Sequence, residues 1–177
     1  MLTTHSYVFI LGAGAGKPYN FPLGDELYWD ISRNAETLFF DEDLKRGVKA
    51  FSEELRQTQG ASIDKYLNIN KAWKDIGTLC VTAAIHSYEI RSIPFLPFNR
   101  QSIKGDWYTY LYRRMIEGLN TREDLAQISK NKVSFITFNY DRSLEHYIFS
   151  NLWGLLKNAE VPKERVAEKL AEIPIIH

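Results

Sequence analysis

Apolar residues gather along this chain in two unlike ways. In two places they concentrate in short stretches, the unbroken YVFIL at residues 7–11 and the polar-interrupted KVSFITF at 132–138. Each run stops at residues that end extended structure: glycine at 12, 14 and 16 in the first case, Asn139 and Asp141 in the second. Runs of this length bounded by turn signals predict buried strands. Elsewhere the apolar positions recur every three or four residues. Leu44, Val48, Phe51 and Leu55 step by four, three and four through DLKRGVKAFSEELRQ, which predicts an amphipathic surface helix. Gly47 sits inside it as a poor helix former.

The same periodicity places further helices. Gly24 and Asp25 open one at ELYWDI, and Ser62 caps a turn in SIDKYL with Ile63 and Leu67 inward. A longer helix is expected over 70–91, with Trp73, Ile76, Cys80, Ala83 or Ala84, and Ser87 on one broad face. Pro94 and Pro97 break helicity. Asp106 caps a helix carrying Trp107, Leu111, Met115 and Leu119, and Thr121 with Asp124 forms a capping box for a helix over 121–130. Leu144, Ile148, Leu152 and Leu155 mark another inward stripe. Pro162 stands near the first helical position of VPKERVAEKLAE, whose Val166 and Leu170 point inward. After Pro174 the segment IPIIH reads as a third strand. Strand, helices, strand, helices, strand is the rhythm of an α/β fold with a mostly parallel sheet, here with large helical insertions. The 177 residues suit one domain, and no repeat, linker or second-domain boundary interrupts them.

Composition narrows the partners. Lys+Arg and Asp+Glu balance at 22 each, so no global field favours nucleic acid or an anionic membrane. No run reaches membrane-spanning length, and the N-terminus lacks the pattern of a secretion signal; a cytoplasmic, reducing setting is expected. Cys80 is the only cysteine. It cannot form an intrachain disulfide or a cysteine-built zinc site, and on its helix face it reads as a small buried hydrophobe. No His-x-x-x-His spacing occurs, so no metal is expected.

The candidate chemistry lies at the strand tips. Glycines at 12, 14 and 16 keep side chains out of a ligand's path, and they let the backbone turn with positive φ. Between strand and helix, the exposed N–H groups of such a loop can cradle a pyrophosphate. The spacing is G-x-G-x-G rather than the usual dinucleotide fingerprint, and Lys17 is not followed by Ser or Thr as a phosphate-loop NTPase requires. Lys17 is placed to pair with phosphate, or else is solvated; Tyr19, Asn20 and Phe21 are candidates for the wall of a nucleotide pocket. If 133–138 is a central parallel strand, its tip belongs to the crevice where open α/β sheets bind ligands. Asn139 offers donor and acceptor atoms to ribose hydroxyls or an ordered water. Asp141 can accept from an amide or hydroxyl. The plainer alternative is that Asn139 and Asp141 cap the next helix. His177 ends the third strand, and its interest comes from convergence with the other two tips.

These residues carry a family likeness. FILGAGAGKPYNFPLG resembles the glycine-alanine-glycine motif of sirtuin-like proteins, especially the bacterial SIR2-like domains of antiphage defence. SFITFNYDRSLEHYI is similar to that group's Thr-x-Asn-Tyr-Asp…Leu-Glu motif, and SIDKYL and DWYTYL also match. The resemblance implies a Rossmann-like, sirtuin-like domain that binds NAD as substrate and cleaves its nicotinamide–ribose bond. It implies that Gly12, Ala13, Gly14, Ala15 and Gly16 lie near the dinucleotide. It further implies that Asn139 is the catalytic asparagine, that Asp141 lies near the nicotinamide amide, and that His177 is the catalytic histidine. The residues that follow the family's histidine are absent, which implies a shortened chain or a departure from the pattern. Gly16 also replaces a serine or threonine of the family's loop. The four-cysteine zinc module of the deacylating sirtuins cannot be built from one cysteine, which favours NAD consumption in antiviral defence over lysine deacylation.

The expected activity is NAD hydrolysis to nicotinamide and ADP-ribose, with Asn139 fixing ribose or water and His177 accepting a proton. An enzyme that wastes NAD must be held in check, which implies a homo-oligomer or a partner protein. The rival readings are a non-catalytic NAD or ADP-ribose sensing module and a structural interaction domain. A dehydrogenase fits less well: Glu36 stands at the right distance for a ribose reader but falls within an apparent helix.

Overall fold

The computed structural model describes residues 2–58, 62–92, 103–125, 127–156 and 161–177. The expected break at Pro94 and Pro97 lies outside them. The chain divides into two compact units, one formed by Met1–Tyr19 with Ser92–His177 and the other by Asn20–Arg91.

The first unit holds a parallel sheet of three strands, β1 (Tyr7–Leu11), β2 (Val133–Thr137) and β3 (Ile175–Ile176), in the order β1-β2-β3. Phe9 faces Phe135, Leu11 faces Thr137, and Phe135 faces Ile175. The Phe9 and Phe135 rings stack 5.4 Å apart. Hydrogen bonds close both ends of the β1–β2 pair, from the Tyr7 N–H to the Lys132 carbonyl (2.8 Å) and from the Phe138 N–H to the Leu11 carbonyl (2.9 Å). This is a small α/β fold with a short parallel sheet flanked by several helices.

β2 alternates as a half-buried strand does, with Val133, Phe135 and Thr137 buried and Ser134 and Ile136 less so. The expected burial of β1 does not hold: Val8 is 62% and Ile10 is 69% exposed, and only Leu11 is buried. β1 is an edge strand, and its second apolar face meets little protein. An unbroken apolar run cannot by itself distinguish burial on two faces from burial on one.

After β2 comes α7 (Ser143–Leu156), following α5 (Trp107–Ile116) and the short α6 (Arg122–Leu125); α8 (Lys163–Ala171) leads to β3. Their inward residues are Tyr108, Leu111 and Met115 on α5, Leu144, Ile148 and Leu152 on α7, and Val166 on α8. Leu155, expected inward, is 51% exposed, and Leu156 is buried instead. A stripe that steps by four carries the buried face through 144, 148, 152 and 156. α5 ends before Leu119 because the chain turns at Gly118, whose φ is +82°. The helix expected over 121–130 is broken: α6 covers four residues and a 3₁₀ turn covers Ile128–Lys130. The capping box does form, with Asp124 N–H donating to Thr121 Oγ1 and Thr121 N–H to Asp124 Oδ2, both at 3.1 Å.

The second unit is wholly helical among its described residues: α1 (Gly24–Asn34), α2 (Glu42–Gln57), α3 (Ile63–Ile69) and α4 (Lys74–Arg91). Ser62 caps α3 by accepting from Lys65 N–H at 3.2 Å. The expected helix over 70–91 begins as a 3₁₀ turn at Lys71–Trp73 before α4. Val48, Phe51 and Leu55 lie in a core with Leu27, Tyr28, Ile31, Ala35, Ile63, Tyr66, Cys80 and Ala84. Gly77 lets α4 approach α3, since a Cβ there would lie 2.3 Å from Leu67 Cδ2.

Cys80 is fully buried in this core, and burial pushes its thiol up to about 12. Native protein is therefore expected to resist an aromatic disulfide reagent at pH 8, with one thiol titrating only after denaturant is added. Rapid modification of native protein would contradict this placement. Among the described residues, no helix is long and apolar enough to cross a membrane.

Candidate functional site

Parallel pairing brings the strand tips together. Because Leu11 lies opposite Thr137 and Ile136 opposite Ile176, all three strands end on one edge of the sheet. The glycine loop and the Asn139–Asp141 tip leave neighbouring strands, joined at their departure by the Phe138–Leu11 hydrogen bond. β2 is the central strand, so its tip occupies the middle of that edge.

The glycine loop differs from expectation in conformation. Gly12 has φ −104° and Gly16 φ −82°, and Ala13–Ala15 forms a 3₁₀ turn. The N–H groups of Ala15 and Gly16 bond back to the carbonyls of Gly12 (2.8 Å) and Ala13 (3.2 Å). A Cβ on Gly12 or Gly14 would meet no atom within 4 Å among the described residues, so the loop faces open space at these positions. Gly12, Ala13 and Gly14 are exposed, Ala15 is half-buried and Gly16 is buried. Lys17 is exposed.

Tyr19 lines no pocket wall. It is completely buried, with its ring stacked on Tyr108 at 3.8 Å and its hydroxyl donating to Asp106 Oδ1 at 2.9 Å. The first turn of α5 braces the loop in a second way, through the Trp107 indole N–H, which donates to the Ala15 carbonyl at 2.9 Å. That turn is set by Gly105, whose φ of +80° favours glycine and where a Cβ would lie 3.8 Å from Pro18 Cγ, and by Asp106, which caps α5 through Thr109 N–H at 3.0 Å.

The same turn reaches the other tip. Tyr108 Oη and Ser143 Oγ are 2.6 Å apart, and Ser143 donates both its hydroxyl and its N–H, the latter at 3.0 Å, to Asp141 Oδ1. Asp141, 9% exposed, therefore satisfies the N–H of Ser143, the first residue of α7, from two residues upstream, while Arg142, whose carbonyl accepts from His146 N–H at 3.0 Å, holds the cap position. Burial raises the Tyr108 and Tyr19 phenols well above their ordinary range, so both remain neutral donors. Trp107 and Tyr108 thus join the loop after β1 to the turn after β2.

Asn139 is not a cap. Its N–H donates to Thr137 Oγ1 at 3.1 Å, while its side-chain Oδ1 is buried and accepts no hydrogen bond among the described residues. Buried acceptors are nearly always paired, so an unpartnered one at a strand tip marks a place where a ligand or water can donate. His177 reaches the same edge one strand further on. Its Nε2 lies 2.8 Å from Glu145 Oε1, which also accepts from Arg142 Nε at 2.7 Å. The structure therefore aligns Gly12–Gly16, Asn139, Asp141 and His177 along one edge, and hydrogen-bonds none of these side chains directly to another among the described residues.

Sequence reasoning passed over Trp107, Tyr108, Ser143 and Glu145 as active parts of this arrangement. Asp106 was visible as a cap, and the aromatic pair after it was the one available signal. Among the described residues, no group of three or more His, Cys, Asp or Glu side chains is placed to hold a metal ion. A cavity of about 340 Å³ occurs in the helical unit, lined by Asp30, Asn34, Ser87 and Arg91 among others. Its polar groups are largely used internally: Asp30 accepts from Tyr88 and Asn34, and Arg91 Nε donates to the Ser87 carbonyl. No protein-family model, curated protein or solved structure matches the chain.

Proposed function

We propose that this chain is a sirtuin-like, Rossmann-type enzyme that hydrolyses NAD to nicotinamide and ADP-ribose. The observation that carries the reading is the juxtaposition of the two tips. A loop built only of glycine and alanine, and a buried Asn139 oxygen that accepts no hydrogen bond among the described residues, leave adjacent parallel strands on one sheet edge. Open α/β sheets bind nucleotides at that kind of edge. Its place in antiviral defence rests on the resemblance of the Gly-Ala-Gly and Asn-Tyr-Asp segments.

In this reading the loop at Gly12–Gly16 faces the pyrophosphate. Asn139 Oδ1 accepts from a ribose hydroxyl or from the attacking water. Asp141 faces the carboxamide. The nicotinamide ring nitrogen is positively charged while bonded to C1′, so it leaves readily with the bonding electron pair. Water adds to C1′ and gives up one proton. The protein's work is then orientation and electrostatic fit rather than covalent chemistry. Control by self-association or by a partner protein follows from the cost of uncontrolled NAD loss.

A sensing module is the second reading, favoured by one observation: Asp141 Oδ1 is already taken up by the Ser143 N–H and hydroxyl. Folded protein incubated with NAD and followed by chromatography separates the two. Equal release of nicotinamide and ADP-ribose is the expected result. NAD that raises the melting temperature but remains intact would replace the enzyme reading with the sensing one.

A further inference from the structure

We infer that Glu145 is a positioning residue that fixes His177 as the base of the site. This rests on the NAD-cleaving reading above. Glu145 lies in the first turn of α7, and its Oε1 is 2.8 Å from His177 Nε2. A carboxylate has only acceptor atoms, so the proton in this bond belongs to Nε2. Nδ1 then carries the free lone pair, and the ring is held in one tautomer and one orientation. Glu145 is itself held, because Arg142 Nε donates to the same oxygen at 2.7 Å.

The placement of the pair distinguishes it from an ordinary surface contact. Glu145 and His177 are 32 residues apart and come from different elements, α7 and the end of β3. The α7 end that presents Glu145 is the one whose first residue, Ser143, is bonded to Asp141 and to Tyr108. The turn that carries Asn139 and Asp141 therefore also sets the position of His177. In the reaction, Nδ1 takes the proton of the attacking water as oxygen bonds to C1′. The C1′–nitrogen bond breaks, and its electron pair leaves with nicotinamide. Glu145 keeps the ring turned so that Nδ1 meets that water, an arrangement in which an acidic residue orients a histidine base.

Two independent measurements test this. In steady-state NAD cleavage, Glu145→Gln is expected to lower kcat ten- to a hundredfold with KM changed less than twofold, and Glu145→Asp to recover part of the loss. Adding Glu145→Gln to His177→Ala is expected to cost nothing further, since both act through one base. In the resting protein, the His177 ring ¹⁵N shifts are expected to report one tautomer, protonated at Nε2 and bare at Nδ1, and to move to a tautomer mixture in Glu145→Ala. Wild-type cleavage with unchanged kcat in the Glu145 variants would overturn this inference alone, as would ring ¹⁵N shifts of a tautomer mixture in the wild-type protein. A wild-type protein that cleaves no NAD would overturn the NAD reading and this inference with it.

Discussion

Asn139→Ala is expected to abolish NAD cleavage while leaving the protein as stable as before. Most alanine substitutions at half-buried positions lower stability. Here the side-chain oxygen accepts no hydrogen bond among the described residues, so its deletion breaks no bond within them, whereas removing an acceptor that a buried donor uses is what makes such substitutions costly. Catalysis should fall by a factor on the order of 10² or more, the usual effect of deleting a group that orients a reacting water or stabilises developing charge. NAD should still raise the melting temperature of the variant, because the glycine loop is untouched. Thermal unfolding and product release measured on one preparation check both halves. A variant that keeps more than a tenth of wild-type activity would remove Asn139 from the mechanism.

The largest expected loss of stability comes from a residue that makes no contact with the candidate site. Asn131 is buried and uses its whole side chain: Oδ1 accepts from Leu2 N–H at 2.7 Å, and Nδ2 donates to the carbonyls of Met115 (3.0 Å) and Ile128 (2.7 Å). It ties the N-terminal segment, the end of α5 and the 3₁₀ turn to the start of β2. Asn131→Ala should cost about 2–3 kcal/mol, because buried backbone groups lose their partners. For a chain of this size that lowers the melting temperature by roughly 5–10 °C. Asn131→Asp should not rescue it, since a second oxygen would then face two carbonyls. A melting temperature within a degree of wild type for Asn131→Ala would refute this account.

The sequence made local features legible and left the distant ones hidden. Ser62, Asp106 and the Thr121–Asp124 pair could be read as caps because a cap and its partner lie within three residues. The alternation of β2 and the stripe of α2 were visible for the same reason. Asn131 was not, since KNK reads as a solvated loop and one of its partners is 129 residues away. Tyr108 and Ser143 are separated by 35 residues, and Glu145 and His177 by 32. No periodicity connects such pairs. The loop conformation at Gly12–Gly16 is not legible in the sequence, because glycine permits positive φ without requiring it. The strand tips themselves were legible, and the parallel pairing that aligns them follows from the long helical connections between strands.

β1 also carries a liability in its composition. All five of its residues are apolar, so the strand has no polar side to prefer solvent, and polarity alone does not choose its register. What does choose it is the Phe9–Phe135 stack together with the hydrogen bonds at the two ends of the pair. A slide of two residues would keep every side chain on its present face, yet would carry Gly12 about 7 Å along the strand axis away from Asn139. Alignment of the two strand tips is thus gauged along the length of the strand, by one aromatic ring and a few backbone amides.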